Sequence, residues 1–385
     1  MSKNKIKTIL YLLAAFIGWR AVIQIISLLS LDRLQALPDI AYEFYNPNPW
    51  INNLPEWLMP FAKWDSGWYL SIAKQGYFYT TGSASNVVFF PLYPLLLKII
   101  SWFTNNHILL AGIIISHLTL FGAIYFLYKL TKIDFDEETS WRSVFYLLLF
   151  PTSFYLISVY TESLFLFLAI LTFYLARKNK WWLAGISGLL ASLTKPWGVA
   201  IVIPLAIEYL EQKNFSWQKI KADILSLCLL PLGTFVYMLF LKIKFGSFWL
   251  FAAGQKIWHL DTAFNPLFTL QKYWQNIFLT ISDNLPYQSA ISIDFAFFGS
   301  MLLLSLVIFS KLRKSYGIYA LLATLIPAFS GILVSMSRYA LVVFPLFILL
   351  AVWGKNKIIN FIIMTLFATL LSFFLTLFVH DYWVA

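Results

Sequence analysis

The chain has 385 residues, of which 60% are hydrophobic and 12% charged, with a mean hydropathy of +0.75 and a formal net charge of +11. A soluble domain carries roughly a quarter charged residues, so these charges cannot cover a water-facing surface of this size. The Lys and Arg residues fall in short clusters between apolar runs, which is how charge orients a chain in a bilayer rather than how it binds nucleic acid. The single cysteine, Cys228, excludes an internal disulfide, and His107, His117, His259 and His380 have no ligand spacing. No metal ligand is therefore assigned, and a divalent metal is left open.

The basic start, Lys3, Lys5 and Lys7, leads into an apolar run that continues well past signal-peptide length. It reads as a retained first helix, about 7–30, with its N-terminus cytoplasmic. Residues 31–107 form a first outer loop that contains Asp32, Asp39, Glu43, Glu56 and Asp65. Within it, the run 88–103 is short and interrupted by Pro91 and Pro94, and reads as a re-entrant or juxtamembrane helix. Further spans are expected at 108–130, 143–158, 162–176, 181–195, 197–210 and 223–243. A second outer segment covers 244–289, and spans follow at 290–310, 315–334, 339–354 and 358–379.

The expectation is one all-α, polytopic membrane domain over 1–385, with about eleven spanning helices. Arg177–Lys180, Lys213–Lys221, Lys311–Lys314 and Lys355–Lys357 then lie inside, and the Lys242/Lys244 pair violates the pattern. The spans between 143 and 210 are short, which places their connecting turns below the membrane surface.

Chemistry concentrates on the outer side. In Trp64-Asp65-Ser66-Gly67-Trp68-Tyr69, read as a helix, Asp65 lies among Trp68, Tyr69 and Ile72, with Lys74 opposite. A carboxylate on that aromatic side would be desolvated, which raises its pKa towards that of a general base. The same residue could equally cap the helix, with Gly76 ending it. Glu162, in Tyr160-Thr161-Glu162-Ser163, is an ionisable group in an uncharged stretch and by default marks a site. A water-facing carboxylate at a helix start is the other reading. Lys195 and Arg338 lie at further outer turns, and a cation at each would suit a phosphate. Snorkelling towards headgroups explains either one singly. Gln255 and Trp258 form a polar and aromatic patch of the kind that holds sugars, although interfacial Trp has the same look.

Taken in order, Trp64-Asp65-x-x-Trp68-Tyr69-x-x-Ile72-Ala73-x-x-Gly76-Tyr77, Phe89-Phe90-Pro91-Leu92-Tyr93-Pro94 and Tyr160-Thr161-Glu162-Ser163 resemble the PIG-V mannosyltransferases. Thr194-Lys195-Pro196-x-Gly198, Ser337-Arg338-Tyr339 and the terminal Tyr382-Trp383-Val384-Ala385 fit the same pattern. Lys195 stands where Arg is expected more often, which keeps the charge and loses the fork.

The resemblance implies a GT-C glycosyltransferase that takes a sugar, here mannose, from a polyprenyl-phosphate donor to a lipid-linked or envelope glycan acceptor. The family includes the enzyme that adds the second mannose of the glycosylphosphatidylinositol anchor, and many bacterial relatives. It implies an acidic base in the first outer loop, a position that Asp65 matches. Glu162 then orients the acceptor or shares a proton, and Lys195 and Arg338 hold the departing lipid phosphate. Trp64, Trp68, Tyr69, Tyr93, Gln255 and Trp258 are the remaining expected substrate contacts. Donor, acceptor and membrane lipids are the expected partners, with no nucleic acid, and whether a small membrane subunit joins them is open. In a bacterium the site would face outward from the inner membrane. A transporter or flippase for lipid-linked sugars is the alternative, and it would be expected to show the inverted repeats that this sequence lacks.

Overall fold

The computed structural model describes residues 3–31, 55–255, 265–278, 285–329, 333–382 and 384. Among these the chain is almost wholly helical, with no strand. Helices α1 (Lys3–Ser30), α2 (Ser66–Gln75), α3 (Leu92–Ser101), α4 (Ile108–Asp134), α5 (Glu137–Leu149) and α6 (Glu162–Arg177) come first. Helices α7 (Trp181–Ser192), α8 (Val202–Gln212), α9 (Leu229–Phe245), α10 (Leu250–Gly254) and α11 (Pro266–Phe278) follow. The last are α12 (Leu285–Lys311), α13 (Lys314–Ala328), α14 (Met336–Ala340), α15 (Phe344–Trp353) and α16 (Lys357–Val379).

Five segments among the described residues are long and apolar enough to cross a bilayer: Lys5–Ser30, Ile108–Asp134, Ala222–Phe245, Ala290–Lys311 and Lys357–Val379. Several turn apolar side chains outward, among them Ile17 and Leu29 on α1 and Phe361 and Phe373 on α16. Outward-facing apolar helices of this length need lipid around them. The protein is a multi-pass membrane protein.

The expected spans of 143–210 appear as shorter helices. At about 1.5 Å per residue, α5, α6 and α7 reach roughly 18–24 Å, less than a hydrocarbon core of about 30 Å. Their connections are accordingly sunk inside the protein. Every residue from Phe150 to Leu166 is buried, as are Thr194 and Lys195. Helix α3 is shorter still. It starts where Leu92 N–H donates to Leu193 O, and a 3-10 turn, Trp102–Thr104, leads from it to Asn105 and Asn106, whose positive φ values turn the chain into α4. At about 15 Å it is shorter than a hydrocarbon core.

Charged side chains gather at the two ends of the bundle. At one end Arg177 binds Asp134 through both Nη1 and Nη2, at 2.6 and 2.7 Å. The buried Glu208 accepts Arg313 Nε and Nη2 at 3.0 Å and the Ser315 hydroxyl at 2.7 Å. Nearby, Asp136 caps α5 through Thr139 N–H and pairs with Lys355 at 2.8 Å; these contacts hold its carboxyl below the usual range. The clusters around Arg177, Arg313 and Lys355 thus gather with the Asp134–Glu138 loop at one end. Glu162 begins the helix that Arg177 ends, which separates the two ends by roughly 24 Å.

Candidate active site

The opposite end joins four charged side chains from four parts of the chain. Arg338 Nη1 donates to Asp65 Oδ2 at 2.7 Å, and its Nε lies 3.3 Å from Glu162 Oε1. Lys195 Nζ donates to the same Glu162 oxygen at 2.6 Å. Glu162, Lys195 and Arg338 are buried, whereas the Asp65 side chain is 24% exposed. Among the described residues, no group of three or more His, Cys, Asp or Glu converges as a metal site would require.

Local geometry explains how each member arrives. Before α2, Trp64 adopts φ 55°, a left-handed conformation that costs a bulky residue roughly 1–2 kcal/mol. That turn carries the chain from the 3-10 segment Glu56–Ala62 into α2 and sets Asp65 at the junction. The segment is pinned on both sides. Val159 N–H donates to Phe61 O, the Tyr160 hydroxyl donates to Lys63 O, and Lys63 Nζ pairs with Asp381 at 2.7 Å.

Lys195 leads into a 3-10 turn, Pro196–Ile201, laid directly against α7. A Cβ at Gly198 would lie 2.5 Å from Ala191 O, so only glycine permits that approach. Aromatic rings wall the cluster. The Arg338 guanidinium lies 5.2 Å from the Tyr160 ring centre and 5.8 Å from that of Tyr155. Lys195 Nζ lies 5.5 Å from the Tyr339 ring and 5.9 Å from Trp197. These faces favour cations.

Two expectations about Asp65 need correction. Its side chain makes no cap hydrogen bond to α2, because Arg338 draws the carboxylate away. Nor is it isolated on an apolar face, since it is partly exposed and ion-paired. Helix α2 is not one-sided either: Ser66 through Ala73 are all buried, and only its end, with Lys74, is exposed. Lys195 and Arg338, expected as phosphate ligands, are each also held by a carboxylate.

The aromatic expectations divide. Tyr69 reaches the cluster's edge, its hydroxyl 3.3 Å from Thr161 Oγ1. Trp68 stacks on Phe89 at 5.7 Å. Trp64 packs half-buried against the core. Tyr93 stands behind Tyr69, its hydroxyl near Ser116 Oγ and Gly112 O, which suits support more than substrate contact. Gln255 follows α10, whose Gly254 packs on Val88, and no described contact links it to the four charges. Trp258 lies outside the described residues.

Sequence reading missed Asp294. This buried carboxylate on α12 accepts Ser335 N–H at 3.2 Å and Met336 N–H at 2.7 Å, capping the short helix that carries Arg338. A carboxylate inside the 290–310 run is itself the signal that could have found it.

The family model described as mannosyltransferase (PIG-V) matches residues 8–209, just over half of the chain. The chain belongs to the PIG-V mannosyltransferase family. The match includes Asp65, Glu162 and Lys195, and Arg338 lies beyond it. No curated protein matches in sequence.

Solved structures similar to this PIG-V family chain include the oligosaccharyltransferase of Archaeoglobus fulgidus complexed with zinc and sulfate. It is 16% identical, with a TM-score of 0.44, and the match covers 94% of this chain and 52% of that one. The same archaeal protein tethered to an acceptor peptide is 14% identical, with a TM-score of 0.45 and coverage of 96% and 55%. In complex with an inhibitory peptide and a dolichol-phosphate, it is 14% identical, with a TM-score of 0.40 and coverage of 95% and 55%. The PIG-V chain thus spans about half the length of these distant structures.

Proposed function

We propose that this PIG-V family protein transfers a sugar, mannose by family, from a polyprenyl-phosphate donor to a lipid-linked glycan acceptor on the non-cytoplasmic face. The observation that supports this reading most is the single cluster formed by Asp65, Arg338, Glu162 and Lys195. Arg338 holds Asp65 Oδ2, and among the described residues no donor is placed on Oδ1. That oxygen is available to an acceptor hydroxyl at the exposed side of the cluster.

In the proposed step, Asp65 takes the hydroxyl proton as the acceptor oxygen bonds to the anomeric carbon. The bond from that carbon to the phosphate oxygen breaks, and its electron pair leaves with the lipid phosphate. The configuration inverts. The N–H groups of Arg338 and Lys195 that the carboxylates leave unused can hold the departing phosphate. Glu162, with Oε2 buried and lacking a hydrogen-bond partner, orients both cations. The positive clusters around Arg177 and Arg313 at the other end of the bundle support an outward-facing site.

The test uses purified protein in detergent with polyprenyl-phosphate mannose and membrane glycolipids. Release of polyprenyl phosphate together with mannosylated glycolipid is expected. Turnover of a nucleotide sugar in the absence of any lipid carrier would sink the reading. Passage of intact lipid-linked sugar across liposomes without transfer would identify a flippase instead.

A further inference from the structure

The four clustered charges balance one another, but a cation elsewhere in the fold has no anion among the described residues. Arg20 lies in the middle of α1, about 15 Å from Ser30 along the axis. Its Nε–H donates to His117 Nε2 at 3.1 Å and its Nη2 to Gln24 Oε1 at 2.7 Å. His117 Nδ1 lies 2.7 Å from Ile113 O, a carbonyl that can only accept, so Nδ1 carries the proton and Nε2 is a neutral acceptor. The guanidinium also lies 4.9 Å from the Phe61 ring centre. Among the described residues no carboxylate pairs with it.

A cation at membrane depth is normally paired or drawn out to the headgroups. Here the side chain is held by His117 on α4, by Phe61 and by Gln24 one turn further along α1. Its remaining N–H groups have no described acceptor, and its neighbours Ala21 and Val22 are exposed. The polar chain also comes down to this depth. Gln24 Nε2 donates to Trp57 O, and Trp57 is exposed, as a residue at a local lipid–water boundary would be.

We propose that Arg20, with Gln24 and His117 as its supports, is a binding site for a lipid-borne phosphate, set between α1, α4 and the segment Glu56–Ala62. The phosphate oxygens accept the free N–H groups of the guanidinium, and the acyl or prenyl chains lie on the apolar outer face of α1. Membrane phospholipid and the lipid carrier bear the same phosphate chemistry and are the two possible sources. The inference does not depend on the transfer reaction.

The test is native mass spectrometry on delipidated full-length protein, with phosphatidylglycerol, diacylglycerol or a long-chain prenyl phosphate added back. Phosphatidylglycerol should be retained and diacylglycerol, which lacks the phosphate, should not. Arg20→Gln should lower retention roughly tenfold, and Arg20→Lys less. Phosphatidylglycerol should also raise the melting temperature of wild type but not of Arg20→Gln. Displacement of phosphatidylglycerol by prenyl phosphate would identify the carrier as the source, and failure to displace it would identify phospholipid. Equal retention of phosphatidylglycerol and diacylglycerol by wild type would overturn the site, a comparison that needs no variant to fold. So would wild-type retention by folded Arg20→Gln.

Discussion

Arg338 Nη1 lies 2.7 Å from Asp65 Oδ2, across 273 positions of sequence. The contact turns two residues from distant parts of the chain into one chemical unit, and it gives the first prediction its form. Asp65→Asn keeps the size of the side chain and removes the proton acceptor, so the transfer rate should fall by about 10²–10⁴. Asp65→Glu should recover little, because the carboxylate moves by a methylene. Initial rates, with thermal melts for folding, decide the matter. A folded Asp65→Asn protein with near wild-type rate would remove Asp65 as the base and shift attention to Glu162.

Arg338 bridges two carboxylates, which a lysine cannot do with the same geometry. Arg338→Gln leaves the buried Glu162 with Lys195 alone and should destabilise the protein, by less than the roughly 3–5 kcal/mol that an uncompensated buried charge costs, because Lys195 still pairs with Glu162. Arg338→Lys should melt closer to wild type yet transfer poorly. If Arg338→Lys matched wild type in rate, the fork would have no part in holding Asp65.

Asp294 acts through Arg338 and should behave as a positioning residue. Asp294→Ala leaves the Ser335 and Met336 N–H groups without their acceptor, a cost of about 1–3 kcal/mol. Its KM for the lipid donor should rise together with a fall in kcat, as the helix bearing Arg338 loosens. Asp294→Asn, which retains a carbonyl oxygen as acceptor, should restore much of both. A loss of stability with unchanged kinetics in the surviving folded fraction would reduce Asp294 to a structural role.

Sidedness can be tested directly, because Cys228 is the chain's one cysteine. In a Cys228→Ser background, Asn105→Cys, at the turn between α3 and α4, should react with an impermeant maleimide in intact cells. Lys178→Cys, just after α6, should react only after lysis. Labelling of Asn105→Cys only after lysis would reverse the assignment of the active face and require α3 to be re-threaded.

Much of this protein is legible in one dimension because the bilayer imposes one-dimensional rules. A span must be apolar over a fixed length, and the cations gather on one side. These rules alone found the helices beginning near Lys3, Ile108, Glu162, Trp181 and Lys357, and the short helix at Leu92–Ser101. They also marked Asp65, Glu162, Lys195 and Arg338, because charge is rare enough here for each ionisable residue at a turn beside an apolar run to stand out.

Pairing lay beyond the reach of sequence. Charge and helical phase placed Asp65 on an aromatic face and suggested a cap. Whether it caps depends on a guanidinium from α14, and that long-range contact outcompetes the local N–H groups. Which carboxylate each of Lys195 and Arg338 would meet could not be read, because their partners come from other segments. Asp294 escaped notice because the helix it caps is not its own. Composition, hydropathy and motif order thus determined the membrane class, the approximate spans and the family. Tertiary structure decided which charges neutralise one another and set Arg20, among the described residues, beside His117 and Gln24 with no carboxylate, since ion pairing is set by distance in space and not by spacing along the chain.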